Sequence, residues 1–209
     1  MSDPRRVSAA EFCQAVRGHP IIASVKDAES LDLALDGPTQ VLFLMYGELL
    51  DLEATVERIR GAGRTVFVDV DLLEGFAGRP VVIDLVQASQ ADGIVSAKTS
   101  MVKAAKDHGL TAGHRFVLAD TRTYRSIPTA IEASGADFIE AQPGCVPRLI
   151  SWLREEIPVP IVAGGLVFDR QDVRAALDAG ALAVATSNAR LWDAVTAGAS
   201  DTPLMASES

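Results

Sequence analysis

The sequence predicts an α/β fold, a single (β/α)8 TIM-type barrel spanning all 209 residues. Three observations predict it. Short, continuous apolar runs recur eight times, every twenty-odd residues, and runs of that length suit strands buried on both faces of a parallel sheet. Helical patterns stopped by glycine or proline fill the gaps between them. Eight strand–helix units in a chain this short fit a closed barrel at the small end of its range, with an open doubly wound sheet as the alternative.

Taken in order, 8–17 reads as a helix ahead of the first strand, placed to cover the bottom of the barrel. The strand runs are 20–25, 41–45, 65–70, 93–96, 115–119, 137–140, 160–163 and 183–186. Between them, 49–60 carries Leu49, Leu52, Val56 and Ile59 on one helical face. A helix over 79–86 has Pro80 in its first turn, where a missing N–H costs nothing. Helices over 100–106, 127–133 and 169–179 stop at Gly109, Gly135 and Gly180, which supply left-handed caps, and 147–157 stops before Pro158. The core covers about 8–197, and the small, polar tail 198–209 is expected to fray.

Composition narrows the function classes. Apolar residues at 48% and charged residues at 22% exclude a disordered chain, and aromatics at 5% require an aliphatic core. Two cysteines, Cys13 and Cys145, cannot build a disulfide framework or a four-thiolate zinc site, so a reduced, cytoplasmic setting is expected. His19, His108 and His114 lack metal-ligand spacing. No apolar run is long enough to cross a membrane, and residues 1–6 do not lead into a signal-peptide core. A formal net charge of −9 argues against a broad nucleic-acid-binding surface and leaves room for a local basic patch. Arg58, Arg60 and Arg64 gather, but with Glu53 and Glu57 beside them they read as a solvated helix face.

Ligands of a parallel barrel meet the C-terminal ends of its strands. There the sequence places Lys26 and Asp27, then Asp69 and Asp71 on one strand face, then Lys98, Asp120 and Glu140. Gly164 and Gly165 follow the seventh run, and Thr186, Ser187 and Asn188 end the eighth. Paired glycines let bare backbone approach a ligand, and Ser187 and Asn188 are expected to open a helix whose first N–H groups favour an anion. A phosphate held between the loops after strands seven and eight is a recurring barrel feature, so Gly164, Gly165, Thr186, Ser187 and Asn188 are the candidate phosphate residues. Lys26 and Lys98 add charge. Asp71, Asp120 and Glu140 either accept hydrogen bonds from hydroxyl groups or cap helices. Asp69, one layer deeper, is expected to satisfy a lysine inside the barrel. Cys145, Trp152 and Trp192 read as packing residues.

These strand-end segments resemble a known family when read in order. Asp71-Leu72-Leu73-Glu74-Gly75 is followed by Gly93-Ile94-Val95-Ser96-Ala97-Lys98, then Arg115-Phe116-Val117-Leu118-Ala119-Asp120. Next come Asp137-Phe138-Ile139-Glu140, Pro143-Gly144, Pro147-Arg148 and Ile161-Val162-Ala163-Gly164-Gly165-Leu166. Thr186-Ser187-Asn188 with Leu191-Trp192 completes the set. Over about 20–192 the chain is similar to the glycerol-3-phosphate-responsive antiterminators, also called glycerol uptake operon antiterminator proteins.

The resemblance implies a small TIM barrel acting as a regulator rather than as an enzyme in the usual sense. It would bind glycerol 3-phosphate and then act on the leader of glycerol-utilisation messenger RNA. It implies phosphate held by Gly164, Gly165, Thr186, Ser187 and Asn188. Strand-end geometry then places Lys26, Asp71, Lys98 and Glu140 toward the glycerol part. No cofactor beyond the ligand and no membrane are expected, and a homodimer is compatible with the sequence. The chain departs from the family pattern where Asp69 replaces a frequent histidine and Ala23 a frequent basic residue, both removing positive charge near the pocket. Two rivals use the same barrel. One is an isomerase or transferase acting on a phosphorylated three-carbon compound, with Asp71 or Glu140 as general base. The other is a phosphate-ligand sensor working through a protein partner.

Overall fold

The computed structural model of the chain describes residues 7–74 and 81–194. Helix α1 (Ala9–Gly18) comes first, followed by β1 (Ile21–Val25), α2 (Ala28–Asp36), β2 (Val41–Leu44), α3 (Leu52–Gly61) and β3 (Thr65–Asp69). Then come α4 (Val81–Ala88), β4 (Gly93–Ser96), α5 (Thr99–Asp107), β5 (Thr111–Val117) and α6 (Thr121–Ser134). The order ends with β6 (Phe138–Gln142), α7 (Pro147–Glu156), β7 (Ile161–Gly164), α8 (Arg170–Asp178) and β8 (Ala183–Thr186). Every strand pairs in parallel with its sequence neighbour, and β8 returns to β1 through Ile21↔Val184, Ile22↔Ala185 and Ala23↔Thr186. That last pairing closes the barrel and excludes the open doubly wound sheet.

The strands are held from both sides. Outward residues such as Ile21, Leu42, Val66, Ile94 and Ile139 pack against the helices, and nearly all are fully buried. The inward residues form a second cluster built on Phe43, Phe67 and Phe138. Helix α1 drives Phe12 into this cluster from below, with ring centroids 4.4 Å from Phe138 and 5.1 Å from Phe67. The rings need empty neighbours: a Cβ on Gly93 would lie 2.5 Å from the Phe67 ring, and one on Gly113 would lie 2.4 Å from Phe138. Aromatic residues are scarce in this chain, yet four of them are concentrated in one layer that seals the lower barrel. Ser8 begins α1 with a reciprocal capping box to Glu11, so the plug starts at a defined residue.

Several boundaries differ from the sequence expectation. Strand β5 begins at Thr111, because Thr111-Ala112-Gly113-His114 completes the ladder with β4 although its pattern is not strand-like. Helix α6 begins at Thr121, capped by Asp120, and carries Pro128 within it, where the sequence placed its start near 127. Helix α2 was not marked by a pattern of its own, but Asp27 caps it through the Ser30 N–H at 2.7 Å. Gly75, the expected helix start at Arg79-Pro80 and the expected frayed tail 198–209 lie outside the described residues, as does the end of the expected core at 195–197.

Candidate functional site

The aromatic layer sets what lies above it. One step up each strand, Asp69 on β3, Arg115 on β5 and Glu140 on β6 point inward and meet. Arg115 and Glu140 are register partners in adjacent strands, and Arg115 Nε donates to Glu140 Oε2 at 2.8 Å. Arg115 Nη1 donates to Asp69 Oδ2, and Asp69 Oδ1 accepts the Asp71 N–H at 3.1 Å. All three side chains are more than nine-tenths buried. Burial pushes the Asp69 carboxyl up, and Arg115 beside it pulls it back only in part. Burial also works against the Arg115 charge, but Glu140 and Asp69 outweigh it, and its pKa is held above the usual arginine value. Arg115 Nη2 is buried without a partner among the described residues. The expected lysine partner of Asp69 is therefore an arginine. The signal was Arg115 itself, once β5 is extended back to Thr111 and Arg115 moves from the first position of the strand to its middle, in register with Glu140.

Above this floor a cavity of about 770 Å³ opens between the ends of β6, β7, β8 and β1. Ser24, Met45 and Ala185 line it from the barrel wall, and Glu140 and Gln142, two residues apart on one strand face, line its base. Gln142 Nε2 donates to Glu140 Oε1 at 2.9 Å. The paired glycines stand beside them, at the end of the neighbouring strand β7. A Cβ on Gly164 would lie 2.3 Å from Glu140 Oε1, and one on Gly165 would lie 3.2 Å from Gln142 Cδ. Gly165 has φ +70° and Leu166 φ +54°, a tight left-handed turn that side chains disfavour. Gly144 closes on the turn from the next loop, its N–H donating to the carbonyls of Gly164 and Gly165 at 2.6 and 2.8 Å.

The mouth is cationic. Lys26 and Arg190 both line it, and neither head group makes an ion pair among the described residues. Thr186, Ser187 and Asn188 form the β8 side of the mouth. Asn188 ties the loops together: its Nδ2 donates to the Phe168 carbonyl at 3.1 Å and its Oδ1 accepts the Arg190 N–H at 3.2 Å. Trp192 anchors the segment from beneath, its indole N–H donating to the Thr186 carbonyl at 2.9 Å, while the Trp192 carbonyl bonds to His19 Nε2 at 2.8 Å. The expected helix after Ser187 is a correction. Asn188 caps only a single 3-10 turn, Ala189–Leu191, because Trp192 folds back under β8. The anion-favouring elements at this end are the loops and the two cations, not a helix terminus.

The sequence-selected residues thus divide in two. Lys26, Glu140, Gly165, Thr186, Ser187 and Asn188 line one cavity, with Gly164 shaping it from behind. Asp71 and Lys98 do not line it. They pair with each other across the ends of β3 and β4, Nζ to Oδ1 at 3.3 Å, and Asp71 also accepts from Ser96 Oγ at 3.0 Å and from the Ala97 N–H at 2.6 Å. Asp120 caps α6 through the Thr123 N–H at 2.8 Å. Sequence reasoning passed over Arg115, Gln142 and Arg190. Gln142 was legible as the inward partner of Glu140 two residues on, whereas nothing in the local pattern marks Arg190. The gathered arginines near 58–64 are engaged structurally: Arg58 with Asp32, Arg60 with Asp92, and Arg64 with the Gly37 carbonyl at 2.8 Å.

Comparison with known proteins matches residues 21–192 to the family described as glycerol-3-phosphate responsive antiterminator. A curated relative is an uncharacterized protein of Escherichia coli (strain K12), YgcP, 40% identical over 178 residues, covering 85% of this chain and 93% of the relative. Among solved structures, the glycerol uptake operon antiterminator regulatory protein of Listeria monocytogenes superposes with a TM-score of 0.80 at 26% identity, over 84% of this chain and 95% of that one. A glycerol uptake operon antiterminator-related protein of Thermotoga maritima gives 0.74 at 30% identity, over 83% and 97%. Deoxyribose phosphate aldolase of Aeropyrum pernix gives 0.66 at 16% identity, over 88% and 95%, a likeness of fold alone.

Proposed function

The chain belongs to the glycerol-3-phosphate responsive antiterminator family, and from that membership we propose that it senses glycerol 3-phosphate in the cavity between β7 and β8 and, with the ligand bound, acts on the leader of a glycerol-utilisation messenger RNA. The observation that carries the reading is the cavity itself: a three-carbon phosphate fits its volume, with Lys26 and Arg190 at the mouth and hydroxyl-binding groups at the base. The phosphate would sit at the mouth, between the Gly165–Leu166 turn and Ser187. The N–H groups of Leu166 and Ser187 find no acceptor among the described residues and would serve as donors to it. The ligand acts by favouring one conformation, or one oligomer such as a homodimer, that is competent for RNA. No helix among the described residues is long and apolar enough to cross a membrane, in keeping with a cytoplasmic regulator. With a formal net charge of −9, RNA contact is confined to a local patch.

Thermal unfolding with sn-glycerol 3-phosphate, glycerol and inorganic phosphate tests the sensor half. A ligand at a hundredfold its Kd adds about 2.7 kcal/mol. Selective stabilisation by glycerol 3-phosphate is expected, with loss in Ser187→Asp and about tenfold weaker binding in Lys26→Ala and Arg190→Ala. Absence of stabilisation by glycerol 3-phosphate refutes the reading. RNA binding is expected to need the ligand and to fall steeply with salt.

A further inference from the structure

The cavity is polarised along its depth. Its cations, Lys26 and Arg190, stand at the mouth, whereas the base presents Glu140 and Gln142 over a floor in which two carboxylates share one guanidinium. Glu140 cannot turn away. One oxygen is held by Arg115 Nε at 2.8 Å, the other by Gln142 Nε2 at 2.9 Å, and Gly164 leaves it room where any side chain would collide. The Gln142 amide orientation is fixed by the same contact, since an ionised carboxylate only accepts. Gln142 therefore keeps its carbonyl oxygen and its second N–H for whatever enters.

We propose that Glu140 and Gln142, with Arg115 as the positioning residue behind them, read the hydroxyl groups of the ligand. They would make the site selective for a polyol monophosphate over the ketone and carboxylate compounds of the same length. This rests on the reading that a small phosphorylated compound occupies the cavity, and it names what that compound must carry at its other end. A phosphate seeks the cationic mouth, which turns the remaining carbons toward the base. Two of the three groups exposed there, the Glu140 carboxylate and the Gln142 carbonyl, accept hydrogen bonds, so two hydroxyl donors satisfy both, whereas a ketone oxygen can use only the remaining Gln142 N–H and leaves an acceptor unpaired. A carboxylate at that end brings a third negative charge to a floor with one cation. Sites built to bond a hydroxyl reject analogues lacking it more strongly than apolar pockets discriminate by size, because their own buried polar groups are left unpaired.

Calorimetric titration with sn-glycerol 3-phosphate, dihydroxyacetone phosphate, 3-phosphoglycerate and inorganic phosphate tests this. Wild-type protein is expected to bind glycerol 3-phosphate about tenfold or more tightly than dihydroxyacetone phosphate, and about a hundredfold more tightly than 3-phosphoglycerate. Gln142→Ala removes a half-buried side chain bonded only to Glu140. It is expected to weaken glycerol 3-phosphate about tenfold while leaving inorganic phosphate unchanged, a split that general loosening of the loops would not give. Glu140→Gln keeps the size and removes the charge, and is expected to raise 3-phosphoglycerate affinity. Arg115→Lys, which keeps the charge but not the fork, is expected to lose discrimination before it loses phosphate binding. Equal affinity of wild-type protein for the three organic phosphates overturns the selectivity while leaving the ligand reading intact. So does an equal loss of inorganic phosphate in Gln142→Ala. Failure of all four compounds to bind overturns both.

Discussion

Gly164→Ala is the most direct test of how the base of the cavity is built. Gly164 does not have a positive φ, so an alanine there meets no backbone penalty and the whole effect comes from the methyl group. That methyl would lie 2.3 Å from Glu140 Oε1 and 3.1 Å from Glu140 Cδ and Cγ. Restoring contact distance requires the carboxylate to retreat by roughly 1 Å. It has nowhere to go without bending its bond from Arg115 and breaking the one from Gln142, both inside a buried site. Hydrogen bonds to charged groups contribute about 1.5–3 kcal/mol each, so a loss of about 3 kcal/mol is expected, roughly 6–12 °C in Tm for a domain of this size. Gly165→Ala provides the contrast. Its φ of +70° adds strain of about 1–2 kcal/mol, but its nearest contact is Gln142 Cδ at 3.2 Å, so the backbone dominates there. Urea unfolding of both variants, and of Gly164→Ala combined with Glu140→Ala, separates the causes. The double variant is expected to be no less stable than Glu140→Ala alone, because the methyl then occupies vacated space. If Gly164→Ala unfolds within about 0.5 kcal/mol of the parent, or if the double variant sums the two losses, the clash with Glu140 is not what the glycine prevents.

Two further outcomes are expected. Phe12→Ala opens the sealed lower layer against Phe67 and Phe138 and should cost about 3–5 kcal/mol in chemical unfolding, while glycerol 3-phosphate affinity, set at the other end of the barrel, stays within about threefold. Acid titration should divide two histidines. Burial pushes His114 below the ordinary value, so its contribution is present above about pH 6.5 and is lost as pH falls toward its folded pKa. His108 is raised by the Ala104 carbonyl and by Asp84, so its contribution is present below about pH 6.5 and is lost as pH rises through its folded pKa. Urea midpoints at pH 5.5 and 8 should therefore shift in opposite senses in His114→Leu and His108→Gln, relative to the parent.

The barrel was legible because its signals repeat: each apolar run is short, most gaps carry a glycine or proline near their end, and the pattern returns eight times. The boundaries failed where tertiary structure overrides local preference. Thr111-Ala112-Gly113-His114 has no strand pattern, yet Gly113 is required because the Phe138 ring fills the space a side chain would take. That four-residue shift decides the site, since it moves Arg115 from the foot of the strand to its middle, level with Glu140 and Asp69. An inward arginine at mid-barrel is costly unless carboxylates meet it, so Asp69, Arg115 and Glu140 have to be read as one unit, although they lie far apart in sequence. The glycine pair carries a related lesson. From sequence, Gly164 and Gly165 mark a backbone that approaches an anion, and that reading suits Gly165, whose turn requires a positive φ. Gly164 answers instead to a side chain of the neighbouring strand, Glu140 of β6. Its absent Cβ is the space in which Glu140 stands, so the motif at the phosphate end of the cavity also determines what can be recognised at its base.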